Sequence, residues 1–199
     1  RSTLRESLHL LEKERIIRTI HGSGRYLVTN PKNLRFEITR LQSVTEMLQG
    51  NGIRGCVKVL STNSIPADET VALRLEIAPG TPVIFIERLR LVEDIPVIYS
   101  IDIIEKTKLK QGWKPEDFEG SLLKLLEEEH KIFLDYSRAE IKVLSHDTPE
   151  LAGKVDNPQQ VSWILLEQIN YDNSDQPVIY SKDYHRGDFI TFNVSRFRY

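Results

Sequence analysis

Residues 96–102 read Pro-Val-Ile-Tyr-Ser-Ile-Asp, and residues 177–183 read Pro-Val-Ile-Tyr-Ser-Lys-Asp. Each copy follows an apolar, β-branched run (residues 83–90 and 161–168) and an acidic or Asn-rich turn. Short apolar runs separated by turn residues indicate β-hairpins, and a proline at the first residue of a strand costs little. The sequence therefore predicts a two-fold pseudo-repeat of hairpins within one domain. The hairpins either frame a cleft between them or serve only as a duplicated structural unit.

The composition is that of an ordinary globular protein with one substantial core. Of the 199 residues, 28% are charged and 40% hydrophobic, and no run approaches the roughly 18 apolar residues of a membrane helix. The single cysteine, Cys56, excludes a disulfide framework, which fits a cytoplasmic protein, and its apolar neighbours favour a buried side chain over a nucleophile. Because the chain opens at Arg1 without a Met, we expect it to be a fragment.

Charge is distributed unevenly along the chain. Residues 1–30 contain six Lys or Arg and three Glu, a net charge of +3, so the remainder carries −5 of the total of −2. A basic end on an acidic body is typical of a nucleic-acid-binding arm joined to a regulatory body.

The basic end has the pattern of a helix followed by a hairpin. Residues 2–14 carry Leu4, Leu8 and Leu11 at three- and four-residue spacing, which predicts one buried helical face. Two short β-branched runs, residues 16–20 and 25–28, flank a glycine turn and predict a two-stranded hairpin. Helix and hairpin together are typical of the second half of a winged helix-turn-helix.

This end resembles the GntR family of bacterial transcription regulators. The residues that carry the resemblance are Arg1-Ser2-Thr3-Leu4-Arg5-Glu6-Ser7-Leu8, Leu11-Glu12-Lys13-Glu14-Arg15-Ile16-Ile17 and His21-Gly22-Ser23-Gly24. The resemblance implies that a recognition helix and a wing contact operator DNA. The implied DNA-binding residues are Arg1, Ser2, Thr3, Arg5, His21 and Gly22. Arginine is well suited to reading guanine in the major groove; the alternative is that Arg1 and Arg5 are solvated surface charges.

The rest of the chain predicts a linker and a second domain. Residues 1–30 are assigned to the winged domain, 31–37 to a linker whose residues 31–36 act as a hinge, and 38–199 to the body. Within the body we expect an antiparallel sheet with a few helices, an α+β fold. Besides the hairpins, the predicted elements are a helix starting at Ser43 or Thr45, a strand over 53–65, helices over 66–73 and 122–130, and strands over 136–144 and 189–194.

The body resembles the UTRA effector-binding domain of the HutC subfamily of GntR regulators, which shares its fold with chorismate lyase. The matching residues are Ser43-Val44-Thr45-Glu46-Met47, Arg88 and Arg90 followed by Pro96, and Arg186-Gly187-Asp188-Phe189 with Phe192. The resemblance implies a homodimer in the bacterial cytoplasm, associated with the nucleoid, that binds a small and often phosphorylated metabolite. It implies no membrane partner.

The resemblance also implies an effector site. Its implied members are Ser43, Val44, Thr45, Arg88, Arg90, Ser100, Ser121, Leu123, Ile179 and His185. Arg88 and Arg90 stand two apart on a predicted strand, so both project to one face, where their forked donors suit phosphate or carboxylate. Structural alternatives are ion pairs with Glu87, Glu93 or Asp94. Compared with amino-sugar-phosphate-binding relatives, the far side of the cleft is less polar, because it carries Ser100, Leu123, Ile179 and His185. For His185, the alternative to a role in the site is a purely structural one.

We therefore predict a DNA-binding transcription regulator, with a repressor as the expected type, controlled by an anionic metabolite. No Ser/His/Asp, Cys/His or metal-spaced set of residues occurs, so no catalytic residue, metal or cofactor is predicted. Asp102 and Asp183 are explained by the repeat. The rival interpretations are a chorismate-lyase-like enzyme, which fold alone supports weakly, and a dimerisation module without a ligand.

Overall fold

The computed structural model describes residue 4 and residues 6–8, 17–20, 24–27, 34–53, 55–155 and 160–194. Leu4 and residues 6–8 are helical, and β1 (Ile17–Ile20) pairs antiparallel with β2 (Gly24–Leu27), which confirms the predicted hairpin. Leu4, predicted on the buried helix face, is 68% exposed. Leu11 lies outside the described residues.

The body combines a large sheet with short helices, which confirms the α+β class. In chain order its strands and helices are β3 (Leu34–Glu37), α1 (Val44–Gly50), β4 (Cys56–Pro66), α2 (Glu69–Leu75), β5 (Pro82–Val92), β6 (Ile95–Glu105), α3 (Leu122–Leu125), β7 (Leu134–Leu144), β8 (Trp163–Asp172), β9 (Pro177–Arg186) and β10 (Ile190–Asn193). Single helical turns lie at Lys106–Lys108, Pro115–Glu119, Leu126–His130 and Pro149–Leu151. None of the helices in the described residues is long and apolar enough to cross a membrane.

The six long strands form one antiparallel sheet in the order β4-β5-β6-β9-β8-β7. Both predicted hairpins are confirmed as β5–β6 and β8–β9, and their second strands pair with each other in the middle of the sheet. At the centre of that pair Ile101 lies opposite Lys182. The two copies of the sequence repeat are therefore related by a pseudo-two-fold axis through the sheet, with three strands on each side.

The two hairpin turns differ in length. Glu93 and Asp94 adopt left-handed φ angles of 50° and 64°, as a tight two-residue hairpin turn requires. The second turn is longer, and the carboxylate of Asp172 closes it by accepting hydrogen bonds from the backbone amides of Ser174 and Gln176. Such side-chain closure is a usual role of aspartate in turns.

Each sheet face is covered by different elements. On one face, α2 packs on Val83, Ile103 and Tyr180, and the turn at Pro149–Leu151 packs on Tyr99, Trp163 and neighbouring residues. On the opposite face, which we call the front face, α1 and α3 each cover one end of the sheet over two further apolar clusters. Strand alternation places every second residue of β5, β6, β8 and β9 on this front face.

Four of the seven predicted linker residues form a strand. Leu34–Glu37 forms β3, which pairs in parallel with β10, and Leu34 and Phe36 are buried. The other predicted linker residues, 31–33, lie outside the described residues. A close backbone contact anchors the region before β10: a Cβ on Gly187 would lie 2.7 Å from the carbonyl oxygen of Ser162, so glycine is required there.

The prediction that Cys56 is buried is wrong. Cys56 is exposed at the start of β4, an edge strand of the sheet, where alternate side chains point to solvent. The predicted second helix begins three residues later than the sequence indicated, because Asp68 caps α2 through the backbone amide of Val71 and Pro66 ends β4. Ser121 caps α3, as predicted.

Candidate functional site

A cavity of about 300 Å³ lies on the front face of the sheet. Its floor is formed by β5, β6, β7, β8 and β9, and its other walls by residues 37, 38 and 40–44, Met47 of α1, and Leu122 and Leu123 of α3. Small-molecule sites occupy about 300–1,000 Å³, so this volume fits a small metabolite. Strand alternation explains why the polar residues of four central strands meet on this floor.

At the centre of the floor, the repeated Ser-x-Asp motifs face each other across β6 and β9. Ser100 is paired with Asp183, and Asp102 with Ser181. Each serine hydroxyl donates a hydrogen bond to the opposing aspartate; Ser181 Oγ lies 2.7 Å from Asp102 Oδ1, and Ser100 Oγ binds Asp183 Oδ1. All four residues are buried. The repeat therefore builds a reciprocal pair of Ser–Asp hydrogen bonds about the pseudo-two-fold axis.

On the β5 side the flanking residues are arginines, and we call this the arginine half. The Arg88 guanidinium forms a buried ion pair with Asp102 (2.6 Å) and donates to the carbonyl oxygens of Phe118 and Gly120 at 3.3 and 3.2 Å. Arg90 Nη1 donates to Ser100 Oγ at 2.6 Å. The predicted alternatives, pairing of either arginine with Glu87, Glu93 or Asp94, do not occur among the described residues.

On the β8 side the equivalent residues are amides, and we call this the amide half. In the strand register, Arg88 lies opposite Ser100 and Gln168 lies opposite Ser181, so Arg88 and Gln168 are equivalent. Likewise, Arg90 lies opposite Ile98 and Asn170 lies opposite Ile179. Gln168 Nε2 donates to Asp183 Oδ2 at 3.3 Å, as Arg88 does to Asp102. Gln168 and Asn170 both line the cavity and were missed in the sequence.

The signal that could have found the amide half is the register rather than the spacing. Arg88 stands eight residues before Pro96, whereas Gln168 stands nine before Pro177. The longer second turn and the bulges beside Leu91 and Tyr171 shift the count. Aligning the two apolar runs by sequence matches Arg90 with Gln168, whereas the strand register matches Arg88 with Gln168. Such a shift of register changes which residues of the two hairpins are equivalent.

The two arginines differ in how their charge is balanced. Arg88 is paired with Asp102, but Arg90 forms no ion pair with any carboxylate among the described residues, although only 2% of it is exposed. The Nε atoms of both arginines are buried without a hydrogen-bond partner within that part of the chain, so the difference lies in the ion pair. Burial, followed by repulsion from Arg88, lowers the pKa of Arg90 to about 10, so the group stays cationic at neutral pH. A buried cation of this kind favours an anionic partner.

The carboxylate beside Arg90 is perturbed in the opposite direction. Burial, reinforced by the charge of Asp102, raises the pKa of Asp183 to about 6, while Arg90, Ser100 and Arg88 oppose the rise. Asp183 is therefore a weaker neutralising charge than an ordinary carboxylate. Near pH 6 this lets the arginine half present a net positive charge to the cavity.

Only some of the residues implied for the effector site line the cavity. Ser43, Val44, Arg88, Arg90, Leu123 and Ile179 do. Ser100 lies behind Arg90, and Ser121 caps α3 through the backbone amide of Lys124. Thr45 lines a separate cleft, and His185 is buried among the rings of Phe36 and Phe192.

Two backbone amides at the start of α1 are already hydrogen-bonded to side chains of the helix itself. Ser43 Oγ accepts the backbone amide of Glu46, and the Glu46 carboxylate accepts the backbone amide of Ser43. This capping box occupies the backbone amides of Ser43 and Glu46, so neither is free to bind an anion. Among the described residues, no group of three or more His, Cys, Asp or Glu side chains is placed to hold a metal.

The predicted DNA-binding residues, Arg1, Ser2, Thr3, Arg5, His21 and Gly22, lie outside the described residues. Their assignment stays a prediction.

The chain is similar to a known domain family and to known transcription regulators. Residues 51–191 match the UTRA domain family. The mannosyl-D-glycerate transport/metabolism system repressor MngR of Escherichia coli K12 is 27% identical over 150 residues, which are 71% of this chain and 58% of MngR. The HTH-type transcriptional regulator YurK of Bacillus subtilis 168 is 24% identical over 203 residues, covering 98% of this chain and 79% of YurK. The chain thus spans little more than half the length of MngR.

A solved structure shows the same fold. The crystal structure of PhnF from Mycobacterium smegmatis superposes with a TM-score of 0.74 at 21% sequence identity, covering 98% of this chain and 84% of PhnF. At that identity the likeness is evidence for the fold alone.

Proposed function

The chain belongs to the UTRA domain family of GntR-type regulators, and from that premise we propose that it senses a small anionic metabolite and thereby controls a DNA-binding arm. The proposed protein is a cytoplasmic, nucleoid-associated repressor of the HutC type. The names of MngR and YurK support a regulator. They also remove the support for a chorismate-lyase-like enzyme, which rested on fold alone.

The single observation that carries the sensing proposal is the state of Arg90. It is a buried guanidinium on the floor of a cavity of about 300 Å³, with no carboxylate paired to it among the described residues. An anion in the cavity would balance that charge in a low-dielectric site, where forked guanidinium hydrogen bonds are strong. Because Arg88 is already neutralised by Asp102, we assign it to positioning and Arg90 to contact with the anion.

The path from the cavity to the arm runs through the wall that follows β3. Glu37, the last residue of β3, lines the cavity together with residues 38 and 40–44, which follow it. Phe36 of β3 contacts the ring of His185, with a centroid distance of 6.0 Å. A ligand that prefers one position of this wall would shift β3 and the residues before it. Regulation requires such a difference in affinity between two states, since equal affinity shifts nothing.

We propose that the regulator is a homodimer, which suits paired operator half-sites. The support is the edge strand β7, where Val143 is 80% exposed and Ile141 is half exposed. Exposed apolar side chains on an edge strand favour association with a second copy.

The experiment is a thermal-shift titration of the chain with inorganic phosphate, glycerol 3-phosphate, glucose 6-phosphate and gluconate. We expect at least one of these anions to raise the melting temperature, because a ligand that binds only the native state stabilises it. Arg90→Gln, which keeps a donor for Ser100, should abolish the rise while leaving binding to duplex DNA selected from a random pool unchanged.

The matched control is Arg74→Gln, which removes an arginine from the opposite face of the sheet, where it pairs with Glu167. This variant should keep the response. A response that survives in Arg90→Gln, or the lack of a response to every anion, would contradict the proposed sensing function.

A further inference from the structure

The amide half of the cavity floor contains a buried polar side chain that the anion response does not use. Asn170 is 2% exposed, lines the cavity, and its Oδ1 has no hydrogen-bond partner within the part of the chain that the structure describes. Buried side-chain amides are nearly always hydrogen-bonded, because an unmet bond costs free energy. Because Asn170 lines the cavity, a ligand bound there can supply the missing partner.

The pseudo-two-fold axis gives this residue a counterpart. Asn170 on β8 is equivalent to Arg90 on β5, and both leave a buried polar atom without a protein partner, Oδ1 in one and Nε in the other. The two atoms are of opposite kinds, because Nε donates and Oδ1 accepts. The two ends of the floor therefore favour different ligand groups: a hydrogen-bond acceptor near Arg90 and a hydrogen-bond donor near Asn170.

We propose that Asn170 is a specificity-determining residue that binds an uncharged hydroxyl or amide group at the end of the ligand remote from its anionic group. The proposal rests on the proposed anion response and deepens it. A hydroxyl group fits best, because it donates to Oδ1 and also accepts from the Asn170 amide nitrogen. Gln168 keeps its donor on Asp183, so it holds the floor in place while Asn170 faces the ligand.

The geometry limits the ligand to a short molecule. Strands β5 and β8 are three strand spacings apart, about 14 Å between backbones, and inward-pointing side chains shorten the gap. The cavity of about 300 Å³ is at the small end of the range for metabolite sites. A small anion with a hydroxyl group a few bonds from its charge spans this floor, whereas a bare anion reaches only the arginine half.

The test compares phosphate esters that differ only in hydroxyl groups: glucose 6-phosphate with tetrahydropyran-2-ylmethyl phosphate, and glycerol 3-phosphate with propyl phosphate. By calorimetric titration, wild-type protein should bind the hydroxylated member of at least one pair tenfold or more tightly, since a site built for a hydroxyl rejects its absence. Asn170→Leu should reduce that preference to about twofold or less while the hydroxyl-free ester binds as before.

Thr62→Val is the matched control. It also removes a buried oxygen without a partner in the described chain, but on β4 and outside the residues that line the cavity. It should leave the preference intact. A wild-type protein without any preference, or a preference that survives in Asn170→Leu, would overturn the role of Asn170 while leaving the anion response standing.

A second measurement, the melting temperature without ligand, separates a binding role from a structural one. Because Asn170→Leu removes a buried polar atom that has no hydrogen-bond partner, the variant should melt at or above the melting temperature of wild type. A fall of several degrees would show that Asn170 holds the fold and would overturn the proposal. If none of the four esters binds, the role of Asn170 is overturned, whereas the anion response is contradicted only if inorganic phosphate and gluconate fail as well.

Discussion

The arginine half and the amide half share one scaffold and differ in charge. Both have a Ser-x-Asp motif, an identical Pro-Val-Ile-Tyr-Ser segment, and a neighbouring strand that sends two polar side chains to the front face. On β5 these side chains are Arg88 and Arg90, and on β8 they are Gln168 and Asn170. The identical residues build the sheet, and the residues that differ give the two ends of the cavity their separate chemistry.

On the opposite face of the sheet, one side-chain contact is the same in both halves. Tyr99 donates to the carboxylate of Glu87, and Tyr180, its equivalent, donates to that of Glu167. Burial, reinforced by the glutamates, raises the pKa of both tyrosines. Because these pairs match in both halves, they serve as an internal reference for the front face, where the halves differ.

The largest effect is expected for Arg88→Gln, which gives the arginine half the residue of the amide half. It leaves the buried carboxylate of Asp102 without its counter-charge, so the free energy of unfolding should fall by about 3–5 kcal/mol. Gln168→Leu removes one hydrogen bond to Asp183 and should cost about 1–3 kcal/mol. Urea denaturation measures both, and equal losses would show that the charge difference between the halves has no energetic consequence.

The next effect separates Asp183 from an ordinary carboxylate. Its pKa is about 6 in the native state and about 3.9 when unfolded. Between these values the native state binds more protons than the unfolded state, so this group makes stability fall as pH rises from about 4 to 6. Asp183→Asn should remove that contribution, which amounts to at most about 1.4 kcal/mol per pH unit, in chemical denaturation at a series of pH values.

His185, whose counterpart in the arginine half is Ile104, supplies the control of opposite sign. Burial lowers its pKa to about 3, below the unfolded value of about 6.5, so its contribution is lost as pH falls below 6.5. Relative to wild type, His185→Phe should shift the pH dependence towards greater stability at pH 4 than at pH 6, whereas Asp183→Asn should shift it the other way. Variants with the same pH slope as wild type would contradict both assignments.

The sequence predicted the scaffold better than the cavity. The repeated segments, their turns and the capping serine of α1 follow from local chemistry, and the structure confirms them. The amide half escaped prediction because turn length and bulges set the register of Gln168 and Asn170, and neither is encoded in spacing alone. The strand Leu34–Glu37 escaped because its partner β10 lies more than 150 residues away in the chain. Cys56 was misassigned because its apolar neighbours do not reveal an edge strand.

The smallest effect is expected on the opposite face. Tyr99→Phe and Tyr180→Phe each remove one hydrogen bond to a glutamate, so each should lower the free energy of unfolding by about 1 kcal/mol. The two losses should agree within about 0.5 kcal/mol, the spread found for single hydrogen bonds. A difference well beyond that would show that the halves diverge on both faces.

The most direct measurement is a crystal structure of the chain with the phosphate ester that binds it most tightly. We predict that the phosphate lies within about 3 Å of the Arg90 guanidinium, with a hydroxyl group directed towards Asn170 across the floor. A phosphate placed on the amide half, or outside the cavity altogether, would contradict the assignment of charge sensing to the arginine half.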